Sequence, residues 1–161
     1  MLTEHGYPPL PAYEEPRTSP RSRPDLARRF PLILTCAKSL WFCETQHRNV
    51  ASLRRRVPEP QIEMHPEAAL ARGVDEGSWV RLETPHGSIR ARAKLTTALD
   101  PAVVCGQHGW WQACPELGLP GHPPLGPDSA NLNAVLSQRP SDPISGSSPL
   151  RASVCQVTLL V

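Results

Sequence analysis

The chain has 161 residues, a formal net charge of +2 and 20 prolines. Its length is enough for one domain with a hydrophobic core, and so small a charge gives no electrostatic reason to expect nucleic-acid binding. No stretch reaches the roughly 18 to 20 apolar residues of a membrane-spanning helix, and the first residues lack the pattern of a secretory signal.

The five cysteines lie at irregular spacings, and their odd number argues against a closed disulfide framework. No pair of them has the spacing of a zinc site. We therefore expect free thiols in a reducing compartment and a cytoplasmic location.

Residues 1–29 form a proline-rich lead that cannot bury enough apolar surface to fold alone. We expect this lead to stay loose or to lie as an extended arm against another surface. The folded domain is predicted to cover residues 30–161. A second proline-rich region, Pro115 to Pro149, predicts long loops within it, because proline cannot donate to a helix or a strand ladder.

The first half of the domain predicts short elements. Phe30 to Cys36 is an apolar run typical of a buried strand. Val50, Leu53 and Val57 have helical spacing, which predicts one or two helical turns with Arg54 to Arg56 exposed.

A strand and a helix follow. Ile62 to Met64 alternates as a strand does, and Pro66 to Gly73 reads as a helix with proline at its first position and glycine at its end. His65 is expected to precede this helix rather than to bind a ligand.

The second half predicts a hairpin and a closing strand. Trp79 to Thr84 and Ile89 to Leu95 alternate around a glycine turn, as the strands of a β-hairpin do. Ala130 to Leu136 is an amphipathic segment. Ser153 to Val161 reads as the last strand.

The stretch from Val103 to Trp111 joins a buried strand to a glycine turn and two tryptophans. Gly106 and Gly109 free the backbone for a tight turn, while His108 and Trp110 supply a titratable donor and an aromatic face. This order is typical of a ligand-contacting loop on a scaffold. A core strand anchored by tryptophan fits the same residues.

About six short strands and long loops predict a mainly β fold, and short, unevenly spaced strands favour a barrel over a sandwich. Eight motifs in order then resemble one known domain. They are Pro-Leu-Ile-Leu-Thr (31–35), Gln-His-Arg-Asn (46–49), Met-His-Pro-Glu-Ala-Ala (64–69), Gly-Val-Asp-Glu-Gly-Ser-Trp-Val (73–80), Thr-Pro-His-Gly-Ser-Ile (84–89), His-Gly-Trp-Trp (108–111), Asn-Leu-Asn (131–133) and Asp-Pro-Ile-Ser-Gly (142–146).

Together, from about Gly6 to Val161, they resemble the C-terminal molybdopterin-dinucleotide-binding domain of the dimethyl-sulfoxide-reductase-like molybdenum and tungsten oxidoreductases. The resemblance implies a six-stranded double-psi β-barrel with short helices and long loops. It also implies the cofactor molybdopterin guanine dinucleotide, with the molybdenum or tungsten held by the whole enzyme.

The resemblance carries a set of cofactor-binding residues onto this sequence. They are Thr35, Lys38, Thr45, Gln46, Arg48, His108, Gly109, Trp110, Asn131 and Asn133. Lys38 and Arg48 are expected to serve anionic groups, and the asparagines and His108 to serve ring heteroatoms.

Simpler roles remain open for some of these residues. Arg48 fits a surface charge, and Asn131 fits a helix cap. Trp111 is expected to pack rather than to contact the cofactor. The sequence departs from the family at two places. Cys36 stands where glycine is frequent, and Glu44 and Thr45 stand where histidine is frequent. A carboxylate beside a phosphate is unfavourable unless a cation lies between them.

The implied function is that of a cofactor-binding module, not catalytic alone. The metal ligand and the cysteine-rich iron–sulfur segment of the family lie in domains absent from this sequence. The expected partners are large molybdopterin-containing catalytic domains or a catalytic subunit, and an iron–sulfur subunit. For the whole enzyme, formate-dehydrogenase-like, thiosulfate- or polysulfide-reductase-like, and hydratase or transhydroxylase activities are all open. The alternative is a non-catalytic barrel with a decayed pterin site, whose proline lead and long loop bind a protein partner.

Overall fold

The computed structural model describes residues 2–10, 12–36, 38–137, 141–148, 150–151 and 153–161, so Met1 and Pro11 of the predicted lead lie outside it. The lead is not extended throughout. It contains a 3₁₀ turn, Thr3–His5, and a short helix α1, Pro24–Ala27, with proline in its first turn, where its fixed φ suits a helix. Leu2 and Thr18 share a cleft with Ser153, so the lead lies against the domain.

Six strands close into a barrel, in agreement with the predicted mainly β fold. They are β1 Leu32–Cys36, β2 Gln61–Met64, β3 Trp79–Thr84, β4 Gly87–Leu95, β5 Val103–Gly106 and β6 Ser153–Leu159. The order around the barrel is β1-β5-β2-β4-β3-β6. The β1–β5 and β2–β4 pairs are parallel and the other four pairs are antiparallel. Closure pairs both edges of every strand, which removes the exposed edges of an open sheet.

The helical segments are short. Helix α2 covers Ala51–Arg54, helix α3 covers Pro66–Leu70, and 3₁₀ turns cover Pro115–Leu117 and Leu132–Val135. His65 precedes α3 as predicted, and its Nδ1 accepts a hydrogen bond from the Glu67 amide at 3.2 Å. Within the described residues, no helix has the length and apolar character needed to cross a membrane.

The β3–β4 hairpin shows how the sequence pattern builds the core. Alternate residues of both strands point inward and are buried: Val80, Leu82 and Thr84 on β3, and Ile89, Ala91 and Ala93 on β4. The basic residues between them lie on the outer face, where Arg92 pairs with Glu59 at 2.9 Å and Lys94 pairs with Glu63 at 2.7 Å. The strict apolar and basic alternation thus fixes which face of the hairpin is buried.

The parallel pairing of β1 and β5 brings the ends of these two strands to one edge of the barrel. Cys36 lies opposite Gly106, the last residue of each strand. Gly106 is also where the chain meets the 3₁₀ turn, because a Cβ there would lie 2.7 Å from Cδ1 of Leu132. The segments that follow both strands and the Asn-Leu-Asn motif therefore start close together.

The fold should protect three of the five cysteines of the chain from alkylation. All five are free thiols; Cys105, Cys114 and Cys155 are buried, whereas Cys43 is exposed. Burial raises the pKa of Cys155 to about 12, which removes the reactive thiolate at pH 8. We expect iodoacetamide to modify Cys43 in the folded protein and the buried thiols only after denaturation, as measured by peptide mass spectrometry. Equal modification of Cys155 and Cys43 in the native protein would contradict this burial.

Candidate functional site

The segments that follow β1 and β5 pack directly against each other. Gly109, with φ +88°, leaves room for Thr45, because a Cβ at this position would lie 3.0 Å from the Thr45 Cα. Positive φ is a conformation that glycine adopts without the steric cost of a side chain. Both the backbone angle and the close approach therefore require glycine at position 109.

The Asn-Leu-Asn motif reaches the same place from a third segment. His108 Nδ1 lies 3.2 Å from Asn133 Oδ1. Asn131 caps the 3₁₀ turn, since its Oδ1 accepts from the Asn133 amide at 3.2 Å, and its Nδ2 donates to the Pro124 carbonyl at 3.0 Å. The capping role anticipated for Asn131 is confirmed. The side chains of His108 and Asn133 thus form a polar pair near the end of β5.

The ion pair between Lys38 and Glu44 explains how this chain accommodates the Glu44 carboxylate. The Lys38 Nζ lies 3.4 Å from the Glu44 Oε1, and both side chains are exposed. The cation that a carboxylate near a phosphate group requires is therefore present beside it. Gln46 is exposed in the same loop, and its carbonyl accepts from Arg48 Nη1 at 3.3 Å.

Arg48 is a buried organiser of these loops. Only 1% of its surface is exposed, so its alternative role as a surface charge is wrong. Its Nη2 donates to the carbonyls of Glu44 and His108, and its backbone amide donates to the Gln112 side chain at 3.1 Å. One guanidinium thus joins the loop after β1 to the turn after β5.

The two adjacent tryptophans are placed the opposite way round from the expectation that Trp111 packs. Trp110 is fully buried against Phe42, with the ring centroids 5.7 Å apart and nearly perpendicular, whereas Trp111 is 39% exposed. The backbone at this turn is unusual, since Gly109 and Trp110 both have positive φ. Cofactor contact through Trp110 stays a prediction, and here its ring serves the packing.

Arg54 is the main correction to the sequence-based expectations. It was expected to be exposed, but it is 1% exposed. Arg54 lies three residues after Ala51, the other buried residue of the four-residue helix α2, so the arginine shares the buried side of that helix. This spacing is the signal in the sequence that could have identified it.

Both buried guanidiniums stack on the same indole. The central carbons of Arg48 and Arg54 lie 4.6 and 4.8 Å from the centroid of the Trp110 ring, and Arg48 also lies 3.9 Å from that of Phe42. Burial, and secondarily the charge of Arg54, lowers the pKa of Arg48 to about 10. Arg48 therefore remains charged at neutral pH, and two positive charges lie beneath the candidate site.

Backbone strain is concentrated in the same loops. Among the residues that the structure describes, three non-glycine residues have positive φ: Glu44 at 50°, His47 at 70° and Trp110 at 99°. Such a conformation costs about 1–3 kcal/mol per residue and persists only where the surroundings enforce it. Strain gathered in two touching loops is typical of a ligand-contacting site.

Polar atoms without a partner test whether these residues fit a pterin cofactor. The described residues include six buried side-chain nitrogen or oxygen atoms without a hydrogen bond, and three of them belong to Arg48, Gln107 and Trp110. Gln107 Oε1 is an unpaired acceptor directly after β5. A pterin carries ring N–H and amino donors along its edge, so the unpaired Gln107 acceptor fits the group, whereas the Arg48 and Trp110 atoms are buried beneath the loop. Gln107 is absent from the residues that the family resemblance assigned.

A cavity of about 280 Å³ is lined by residues that include Arg54, Trp79, Arg90 and His122. The His122 ring packs edge-to-face on Trp79 at 6.3 Å, and its amide donates to the Trp110 carbonyl at 3.0 Å. Burial, followed by the charges of Arg54 and Arg90, lowers the pKa of His122. Its neutral form is therefore part of the folded structure.

A closed six-stranded barrel with polar loops gathered at one edge is the architecture of a ligand-binding domain. Residues 32–154 match the family model of the molydopterin dinucleotide binding domain. The chain belongs to this family, and its expected cofactor, molybdopterin guanine dinucleotide, is confirmed with it.

Known relatives agree with this assignment. The chain is 33% identical to a dopamine dehydroxylase of Eggerthella lenta over 89% of its own length and 14% of that protein. It is 35% identical to an acetylene hydratase of Syntrophotalea acetylenica over 69% of its length and 15% of that protein. The structure of an acetylene hydratase from Pelobacter acetylenicus superposes with a TM-score of 0.80 at 29% identity, covering 98% of this chain and 22% of that one. The chain thus spans a small part of the enzymes that it matches.

Gly109→Ala should destabilise the protein more than an alanine at another glycine with positive φ. Gly126 has φ +95° with open space around its Cβ position, whereas a Cβ at Gly109 meets Thr45. We expect Gly126→Ala to lower the free energy of unfolding by about 1–2 kcal/mol, and Gly109→Ala to lower it by about 1 kcal/mol more. Urea denaturation measures both, and equal losses would mean that the contact with Thr45 is not restrictive.

His122 should make the protein less stable in mild acid. Its pKa is lowered in the folded state, so the unfolded chain binds a proton more readily and stability falls as the pH drops below about 6.5. We expect His122→Gln to flatten the dependence of the melting temperature on pH between 7 and 5. The matched variant His86→Gln, in the exposed hairpin turn, should keep the wild-type slope. An unchanged slope in His122→Gln would refute the assignment.

Proposed function

We propose that the loops after β1 and β5 and the Asn-Leu-Asn turn hold the pterin portion of molybdopterin guanine dinucleotide. The observation that carries this proposal is the convergence of three separate segments: Thr45 touches Gly109, Arg48 binds the His108 carbonyl, and His108 pairs with Asn133. The site brings polar side chains together without a group of three or more His, Cys, Asp or Glu suited to a metal among the described residues.

The roles of the individual residues follow from their exposure and partners. His108, Asn133 and the unpaired Gln107 present hydrogen-bonding groups to ring heteroatoms. Lys38 is exposed and serves the phosphate groups. When bound, the cofactor carries the metal on which the redox chemistry takes place. The domain orients the pterin and supplies its hydrogen bonds.

The remaining residues of the set have supporting roles. Thr35 lies opposite Cys105, one residue before the end of β1, and Thr45 and Gln46 form the loop that meets Gly109. Arg48 and Trp110 hold that loop from below.

We propose further that the domain works within a larger molybdenum or tungsten oxidoreductase. The support is that the relatives named above are several times longer than this chain. The metal ligand would come from the large catalytic domains or subunit, and electrons would pass through an iron–sulfur partner. The five free thiols support a cytoplasmic location. The substrate belongs to that assembly and not to this domain.

The experiment is a measurement of bound nucleotide. The full chain is produced, with its large catalytic partner, in a bacterium that makes the cofactor, and GMP released by acid is counted per chain. We expect GMP in the wild type and a fall of about tenfold in the double variant His108→Ala with Asn133→Ala, as expected for the loss of about 1.4 kcal/mol.

Two controls separate binding from folding. Asn131→Ser retains a residue able to cap the 3₁₀ turn. His86→Ala removes an exposed histidine that is not among the proposed cofactor residues, and it should keep the wild-type GMP content. Wild-type GMP in the double variant would show that His108 and Asn133 do not hold the cofactor. No GMP in the wild type would favour a barrel with a decayed pterin site.

A further inference from the structure

We propose that Arg54 is a positioning residue of the cofactor loop and that it works with Arg48 as a clamp on either side of the turn formed by Gly109 and Trp110. This inference rests on the proposed function, since it gives that function its rigid loop. Arg54 does not reach the cofactor edge, because its side chain is buried beneath the loop. It acts through the backbone that it holds.

The hydrogen bonds of Arg54 join four separate parts of the chain. Its Nε donates to the Pro58 carbonyl at 2.7 Å, and its Nη2 donates to the Pro120 carbonyl at 3.1 Å. Its Nη1 donates to the Arg48 carbonyl at 3.1 Å and to the Gln112 carbonyl at 3.0 Å. A planar guanidinium offers donors in a fixed fork, so the position of each segment is set relative to the others.

The two arginines hold the turn at both of its ends. Arg48 binds the carbonyl of His108, directly before Gly109, and Arg54 binds the carbonyl of Gln112, two residues after Trp110. Between these two carbonyls, Gly109 and Trp110 both have positive φ. A bulky residue in this region is strained and needs external support. The clamp supplies that support, and the direction of the His108 side chain depends on it.

The clamp is built for arginine rather than for any cation. Glu59, the nearby carboxylate, pairs with Arg92, and the partners of Arg54 are four backbone carbonyls and the face of Trp110. Lysine carries a single ammonium group that cannot donate to all four carbonyls in one plane. Arg54→Lys therefore keeps the charge and loosens the geometry, which separates positioning from electrostatics.

The test compares Arg54→Lys with Arg55→Lys in the full chain. Arg55 is the exposed neighbour, paired with Glu116 at 3.5 Å. Hydrogen exchange followed by mass spectrometry reports on residues 113–122, where the amides of Cys114, Leu119 and His122 are hydrogen-bonded, and on the β3–β4 hairpin; acid-released GMP reports on the cofactor. The His122 amide donates to the Trp110 carbonyl and so reports directly on the turn. We expect Arg54→Lys to raise exchange in residues 113–122 by about tenfold or more, to leave the hairpin unchanged and to lower GMP by about fivefold. Arg55→Lys should match the wild type in both measurements.

A second variant provides an independent readout. Arg54→Ala leaves a space at the buried guanidinium, and added ethylguanidinium should restore protection of residues 113–122, whereas ethylammonium at the same concentration should not. Rescue by both ions would overturn the geometric role.

Three further outcomes decide between the inference and the proposed function. Unchanged exchange in residues 113–122, or an equal loss of protection in the hairpin, overturns the clamp, because Arg54 would then be dispensable or would support the whole barrel. Normal GMP with a loosened turn overturns its link to the cofactor while the proposed function stands. Absence of GMP from the wild type overturns the proposed function itself and with it the role of Arg54.

Discussion

The contact of two guanidiniums with one buried indole holds the candidate site together. Removing a charged group from water is costly unless hydrogen bonds replace the lost hydration. Arg54 meets this condition with four carbonyl oxygens, whereas Arg48 reaches three through its Nη atoms and leaves its Nε unpaired. A hydrogen bond to a charged group contributes about 1.5–3 kcal/mol. The Trp110 face adds a cation–π term, worth about 2 kcal/mol where it is desolvated. The loops around residues 44–48, 108–112 and 120 all depend on this one arrangement.

The need for such an arrangement follows from the barrel. Its strands satisfy their own backbone groups through the closed ladder, but the long proline-rich and glycine-rich loops have no ladder to join. Their buried carbonyls still need donors, and a branched guanidinium supplies several from one side chain. Burial of arginine beneath irregular loops is therefore a consequence of placing the cofactor site on loops rather than on strands.

How well each part of the structure could be predicted from the sequence follows the same division between strands and loops. The hairpin of β3 and β4 and the strand β1 were predictable because alternation and apolar runs have a fixed period on a barrel. Helix α3 was predictable from its proline, glutamate and glycine. Arg54 was misplaced, because a charge in an arginine run reads as solvated. The packing expected of Trp111 falls to Trp110 instead, because two adjacent tryptophans give no sign of which backbone angle they take. These outcomes depend on contacts between segments 60 residues apart, which no local pattern encodes.

The basic residues near the site have different roles because their bonding partners differ. Arg48 cannot turn toward an anionic ligand without breaking its bonds to three carbonyls, and Arg54 is held in the same way by four. Lys38 differs, because its partner Glu44 is an exposed carboxylate. Exposed ion pairs contribute only about 0–1 kcal/mol, so Lys38 can exchange Glu44 for a phosphate at little cost. We therefore infer that the two arginines shape the loop and that the exposed lysine meets the ligand's charge.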